Sequence, residues 1–432
     1  MKEFFNGKKI INARLCANLA FILFFSYRSW FGMLRLSRSR ITILGSIAVI
    51  YALVIAAAAL SKKKNSELLT GLIFLGCCAT VFAVTWVLHT EYGAWYFDHP
   101  DYNLLSSVFY PTGGLFAFLF IYLIDDVGDM RRNMRAVAWL MFIFAVYQLI
   151  PVLLLGRWTS SGADTGDPSA VNQSSYSLSF GYRTIICLMV FWTEYRASRD
   201  RKYLILSGLC FLMILMFGGR GSLLAFMLFI GIRYLSAGKA RSRRVYLTVF
   251  LLAVAGTLWY TGLLYKLIMG VIGLFARVRV SRSLAKLLNG SFFQDAARVR
   301  IWSLAVELIR TGGIFGHGPY GDRMVIGQFY SWGYCHNVFL ELMVDFGLFG
   351  FLAIVLLLVS IIWSLRAMEP RWKDMFLIFL GLSCQLLVSD SFWYNSAFWA
   401  VFAFLLKHRK YLLSRTAVYT VSNPVFCKMR NT

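Results

Sequence analysis

Charge is scarce in this chain of 432 residues: charged side chains make up 15%, against roughly 25% in a soluble globular domain. Acidic residues are scarcer still, 20 against 44 Lys and Arg, for a net charge of +24. Proline occurs only 7 times and histidine 5 times. The low charge excludes an ordinary soluble domain. The abundance of Phe, Tyr and Trp, 17% together, excludes a disordered chain. The 8 cysteines (Cys16, Cys77, Cys78, Cys187, Cys210, Cys335, Cys384 and Cys427) lack metal-ligand spacing. Nearly all fall in apolar runs, so no disulfide framework is expected; only Cys335 reads as exposed. No zinc spacing, Walker A motif, Gly-x-Ser-x-Gly elbow, strand pattern or internal repeat is present.

What is there is a series of long apolar runs. A membrane helix needs about 20 mostly apolar residues. Twelve runs qualify: 11–33, 41–60, 68–88, 104–124, 136–156, 178–195, 203–217, 222–236, 247–264, 336–364, 375–390 and 397–410. The first is the weakest, because Arg14 and Arg28 interrupt it. No small-residue cleavage site closes it, so it reads as a retained helix rather than a signal peptide. The chain thus reads as an all-α polytopic membrane protein of about twelve spans. The division is 1–264 (nine helices), 265–335 (one large loop) and 336–432 (three helices and a basic tail).

Lys and Arg decide orientation. Segments 1–14, 61–67, 125–135, 196–202, 233–246, 365–374 and the tail are rich in them and read as cytoplasmic. Segment 89–103 has none, and 157–176 has only Arg157. Two segments on the outer side break the pattern. Arg35, Arg38 and Arg40 follow the first run, which can instead lie in the interface. Segment 265–335 carries Lys266, Arg277, Arg279, Arg282, Lys286, Arg298, Arg300, Arg310 and Arg323. Long loops translocate largely regardless of charge, so this loop asks for an anionic partner outside. That position disfavours nucleic acid. Residues 267–288 read as a basic interfacial helix, and 298–311 as a second helix ended by Gly312-Gly313.

Three places carry candidate chemistry. Arg220 lies in Phe217-Gly218-Gly219-Arg220-Gly221-Ser222, between two short apolar helices. Glycines allow close approach, a helix start favours anions, and a guanidinium suits phosphate; a snorkelling arginine is the bland alternative. Arg298, Arg300 and Arg183 are further candidates for the same anion. Gly316-His317-Gly318-Pro319-Tyr320-Gly321 formally matches G-x-G-x-x-G, but a helix precedes it and Pro319 sits inside it. The dinucleotide reading therefore fails. The alternatives left are a turn whose N–H groups meet an anion, or a plain chain reversal. Last, Asn337, Glu341 and Asp345 form a polar stripe in an apolar helix that His336 opens. Such carboxylates normally face a bundle interior or a wet cavity. His336 suits a proton acceptor. Glu341, about 100° further round the axis, suits a supporting role. Pairing of Glu341 and Asp345 with arginines purely for packing is the alternative.

Taken in order, Gly219-Arg220-Gly221-Ser222, Arg300-Ile301-Trp302, the Gly316–Gly321 loop, His336-Asn337, Glu341 and Gly347-Leu348-Phe349-Gly350 resemble the O-antigen ligase/polymerase superfamily of bacterial membrane glycosyltransferases. The resemblance covers about 178–365. The chain has Gly219-Arg220 where that family often has Ser-Arg. The resemblance implies a GT-C-like helical fold in the bacterial inner membrane, with its active site facing the periplasm. It implies transfer of glycan from an undecaprenyl-pyrophosphate carrier, without metal or other cofactor and with inversion at the anomeric carbon. Its functional arginines map onto Arg220 and Arg300, and its histidine onto His336; Gly316, Gly318, Tyr320 and Asn337 would support them. Membrane lipid and a chain-length regulator protein are the further partners implied. Spacing of His336 and Glu341 looks more like the polymerases than the ligases, so polymerisation of O-antigen or capsular repeats is the preferred activity. Ligation to lipid A–core is second. A transporter is third, disfavoured by the absence of an inverted repeat.

Overall fold

The computed structural model describes residues 2–34, 39–155, 177–236 and 296–422, and every regular element among them is helical. In order these are α1 (Lys2–Phe25), α2 (Tyr27–Met33), α3 (Arg40–Leu60), α4 (Lys62–Leu88), α5 (Ala117–Tyr122), α6 (Val127–Leu155) and α7 (Leu178–Ser198). There follow α8 (Arg201–Phe217), α9 (Arg220–Leu235), α10 (Ala296–Thr311), α11 (Arg323–Ile326), α12 (Val338–Ala367), α13 (Pro370–Ser383) and α14 (Ser396–Ser422). The expected ninth run, 247–264, and the interfacial stretch 267–288 lie outside the described residues, as do Arg35, Arg38 and Cys427.

Helix starts follow local chemistry. Ser39, Ser177, Asp200 and Asn337 each turn a side-chain oxygen onto an N–H of the first turn of α3, α7, α8 and α12. Pro370 opens α13, where its missing N–H costs nothing. Among the described residues, α3, α4, α6 and α12 are long and apolar enough to cross a membrane. A fifth span results if α1 and α2, bent by 72° at Ser26, count as one. At that bend the Ser26 hydroxyl donates to Ile22 O at 2.5 Å and the Trp30 indole N–H to Leu23 O at 3.0 Å. Ile22 O also keeps its bond from Ser26 N at 3.0 Å, while the indole N–H supplies Leu23 O with a donor at the bend.

One expected span is corrected. Residues 104–124 do not form a crossing helix; only a single 3₁₀ turn, Gly114–Phe116, and α5 are helical there. Asn103 gathers the chain into turns, accepting from Ser106 N at 2.9 Å. Pro111 and Gly113-Gly114 then break the run, and a Cβ at Gly114 would strike the Tyr394 carbonyl. The run is apolar because Leu104, Val108, Leu115 and all of α5 are buried in protein. Similarly, the run 375–390 leaves α-helix at Ser383 and turns back on itself.

Ion pairs gather the segments that the Lys/Arg pattern assigns to one side. Arg14 pairs with Asp126 and Asp129, joining α1 to α6. Lys64 reaches Asp125 at 2.7 Å and Glu67 at 3.1 Å. Lys407 of α14 reaches Asp125 at 3.4 Å. Arg131 pairs with Glu194 at 2.6 Å, and Arg233 with Asp374 at 2.7 Å. Lys64 and Lys407 also donate to the carbonyls of Tyr122, Leu123 and Ile124, which α5 leaves open at its C-terminus. We call this the charged end. At the other, loop end, Tyr92 and Tyr96 donate to the carbonyls of His317 and Pro319, and Tyr394 to the Tyr320 hydroxyl. Segment 89–103, which lacks Lys and Arg, the loop 312–336 and the turn 388–395 therefore meet there.

Candidate functional site

The glycine loop and α12 are built around one exchange of hydrogen bonds. Gly347, at φ 56°, breaks α12, so Leu348 N donates to Ile314 O at 3.0 Å instead of to its own helix. The carbonyls of Val344 and Asp345 instead accept from His317 N and Gly318 N, both at 2.8 Å. Gly316 and Gly318 adopt φ values of 72° and 78°, open to glycine and strained for other residues. A Cβ at Gly316 would strike α12 backbone, and one at Gly318 would strike Thr85. Of the two alternatives for this turn, chain reversal and N–H groups aimed at an anion, the hydrogen bonds favour the first. The N–H groups of Gly316, His317, Gly318 and Gly321 are all engaged by carbonyls. The loop is a brace for a broken helix.

Behind the brace, Arg323 of α11 is wholly buried. Its Nη1 donates to Asp322 and, at 2.9 Å, to Glu341 Oε1; its Nη2 donates to Ser391 Oγ at 3.0 Å and Tyr394 Oη at 3.4 Å. Rings of Tyr320, Tyr334 and Tyr394 surround the guanidinium at 4.3, 5.4 and 5.8 Å. Burial pulls the Arg323 pKa down, but Asp322, Tyr394 and Glu341 hold it above its ordinary value, so it stays charged. Glu341 also accepts from the Ser391 hydroxyl at 2.5 Å and from Phe392 N at 3.2 Å. One ion pair thus ties the loop, α12 and the turn before α14 together.

The polar stripe does face the bundle interior, since Glu341 and Asp345 are both fully buried. Asn337 caps α12 and donates to Leu387 O at 3.2 Å. Glu341 pairs with an arginine, as the packing alternative has it; Asp345 accepts from the Trp393 indole at 2.9 Å instead. His336 does not open the helix, which begins at Val338. It stands before it with a left-handed backbone, φ 53°, so the 100° relation to Glu341 does not apply. Its ring lies 4.5 Å from Tyr334 and 5.5 Å from Trp332. Cys335, expected to be exposed, is buried, and its N–H donates to Asp322 at 3.0 Å.

The remaining candidates sit on three other elements, α9, α7 and α10. Arg220 is the first residue of α9. Its junction packs on α7 so closely that a Cβ at Gly181 would lie 2.7 Å from Ser222 Oγ and 2.9 Å from Gly219 N. Arg183, two residues along α7, donates to Ser179 and lies 5.2 Å from the Phe144 ring. Arg298 and Arg300 lie on α10, which packs on α12 and α11. The Arg300 guanidinium is exposed and sits 4.3 Å over Phe329. The structure therefore brings Glu341 and Tyr320 to Arg323, Gly316 to α12 and Gly318 to Thr85. It sets Arg183 beside the Arg220 junction and Arg300 beside the loop that leads to His336.

Arg323, Asp322, Ser391 and Tyr394 are the residues that sequence reasoning misses. In sequence Arg323 is one of nine basic residues in a basic loop. The one usable signal is its immediate neighbour Asp322 in a stretch otherwise rich in Gly and Tyr.

Compared with known families, residues 205–355 match the family model described as O-antigen ligase. The match runs from α8 into α12 and contains Arg220, Arg300, Arg323, His336 and Glu341; Arg183, Ser391 and Tyr394 fall outside it. No curated protein matches the chain. The match supports the O-antigen ligase superfamily and a polysaccharide-related membrane enzyme, without dividing polymerase from ligase.

Proposed function

We propose that this chain is a membrane glycosyltransferase of the bacterial inner membrane, with a GT-C-like fold, that polymerises undecaprenyl-pyrophosphate-linked repeat units at its loop end, on the outer face. The observation that supports this best is positional. Within the matched segment, Arg220 opens a helix against α7, Arg300 is exposed on α10, and His336 stands just before α12.

The reaction needs three things. The sugar–phosphate bond breaks, and charge develops on the departing lipid pyrophosphate. Arg300 and Arg220, aided by Arg298 and Arg183, stabilise that charge with fixed donors. An acceptor hydroxyl forms the new bond to the anomeric carbon from the opposite face, inverting it. His336 takes the proton that this hydroxyl gives up. Glu341 is no base in this scheme, because Arg323, Ser391 and Phe392 N already engage its carboxylate. It holds Arg323, and through Asp322 and Cys335 N it sets the chain that presents His336. The scheme uses no metal or cofactor. A chain-length regulator in the same membrane is the protein partner that fits.

The family description itself favours a second reading, ligation of finished glycan to lipid A–core. One reconstitution separates the readings. The purified protein in proteoliposomes is given lipid-diphosphate-linked repeat units, with and without lipid A–core. A ladder of lengthening glycans without core supports polymerase; product on core alone supports ligase. Flux of intact lipid-linked glycan across the bilayer with neither product would support a transporter and sink both.

A further inference from the structure

We infer that the ring strip formed by Tyr330 and Trp332 is the platform on which the transferred sugar stacks, with Trp332 as its specificity-determining ring; this rests on the glycosyl-transfer reading above.

A continuous file of rings connects the two ends of the proposed reaction. Arg300 lies over Phe329, itself exposed. The next residue, Tyr330, stacks on Trp332 with centroids 5.4 Å and planes 20° apart. Trp332 meets His336 edge-on at 5.5 Å. Tyr330, Trp332 and His336 are only partly buried, whereas Tyr96, Tyr320, Phe392 and Trp393 at the same end are core. The two sets differ in hydrogen bonding as well. The Trp393 indole N–H is satisfied by Asp345. The Trp332 indole N–H is enclosed without an acceptor among the described residues, as are those of Trp192 and Trp302.

Chemistry says what belongs on that strip. During transfer the anomeric carbon lies between the departing phosphate oxygen and the attacking hydroxyl oxygen. If Arg300 holds the phosphate and His336 takes the hydroxyl proton, the sugar ring lies between them, where the strip is. An aromatic face is electron-rich. The axial C–H bonds on one face of a pyranose carry the complementary partial charge, while its hydroxyl rim stays in water. The ligand class is a hexopyranose with one face of axial C–H bonds. An anion would meet the wrong sign of the ring quadrupole.

The test measures transfer by the full-length protein in proteoliposomes, with lipid-diphosphate-linked repeat units as donor. Trp332→Ala should raise the donor KM about tenfold, the scale of one lost stacking contact, and leave kcat nearly unchanged. Trp332→Phe, which keeps a ring, should raise it far less, and Tyr330→Leu should fall between. Saturation-transfer NMR with the free oligosaccharide should show C–H protons of its terminal sugar in contact with wild type and lose that contact in Trp332→Ala. An unchanged KM with an unchanged NMR contact overturns the inference, as does a loss of kcat alone, which would assign the ring to packing. Should Trp332→Ala misfold, Trp332→Phe and Tyr330→Leu carry the same decision. If wild type transfers no glycan at all, the glycosyl-transfer reading falls instead, and the NMR contact still decides whether the strip binds a sugar.

Discussion

Arg323 and Glu341 meet at 2.9 Å with neither side chain exposed to solvent. Their meeting joins a loop and a helix 18 residues apart to a turn 50 residues further on, through Ser391. Removing one partner of a buried pair leaves a charge without compensation, which costs roughly 3–5 kcal/mol. Arg323→Ala should therefore lower the thermal midpoint of the detergent-solubilised protein sharply. Arg323→Met combined with Glu341→Gln should recover part of the loss. An undiminished midpoint in Arg323→Ala would show that the ion pair does not hold the loop.

Gly318→Ala tests the brace. The residue has φ 78° and faces Thr85, so the substitution meets both a disfavoured backbone and a collision. It should cost more than about 1 kcal/mol, read as a lower thermal midpoint. Thr85→Ala in the same chain should restore a part only, because the backbone strain remains. Full stability of Gly318→Ala alone would contradict the close approach of the loop to α4.

The arginines proposed for pyrophosphate make a different forecast. Arg300→Ala should nearly abolish transfer while leaving the thermal midpoint in place, since the side chain is exposed and its described contact is the ring of Phe329. Arg300→Lys should also be poor, because one ammonium does not reproduce a two-pronged contact. Arg220→Ala should behave likewise in transfer. Full activity in Arg300→Lys would reduce its role to a generic positive charge.

His336→Ala should lose at least roughly 10²-fold in kcat, the lower end for general base catalysis, with donor binding largely kept. Normal turnover in that variant would remove His336 from the mechanism.

Cysteine-accessibility labelling should place 90–100 and 312–335 on one side of the membrane, and 61–67 and 125–135 on the other. Tyr92 bonded to His317 and Lys64 bonded to Asp125 tie each pair of segments together. Labelling of 61–67 and 90–100 from the same side would refute the two-ended arrangement.

Much of this was legible in the sequence. Apolar runs and Lys/Arg-rich connections place α3, α4, α6 and α12, because both signals are local. The inward direction of Glu341 and Asp345 was legible too, since a carboxylate in an apolar helix must find shelter. What was not legible depended on contacts between distant segments. Hydropathy reports that a residue avoids water, not whether lipid or protein shields it; residues 104–124 are therefore as apolar as a span and yet fold as buried turns. A formal G-x-G-x-x-G reads as an anion cradle or a plain reversal until the carbonyls of Val344 and Asp345, released by the break at Gly347, are seen to take the N–H groups of His317 and Gly318. Arg323 stands among eight other loop cations, with only the adjacent Asp322 to mark it, until the fold encloses it among Asp322, Glu341, Ser391 and three tyrosines. Burial and partner choice are properties of the packed chain, and only the tertiary structure decided them.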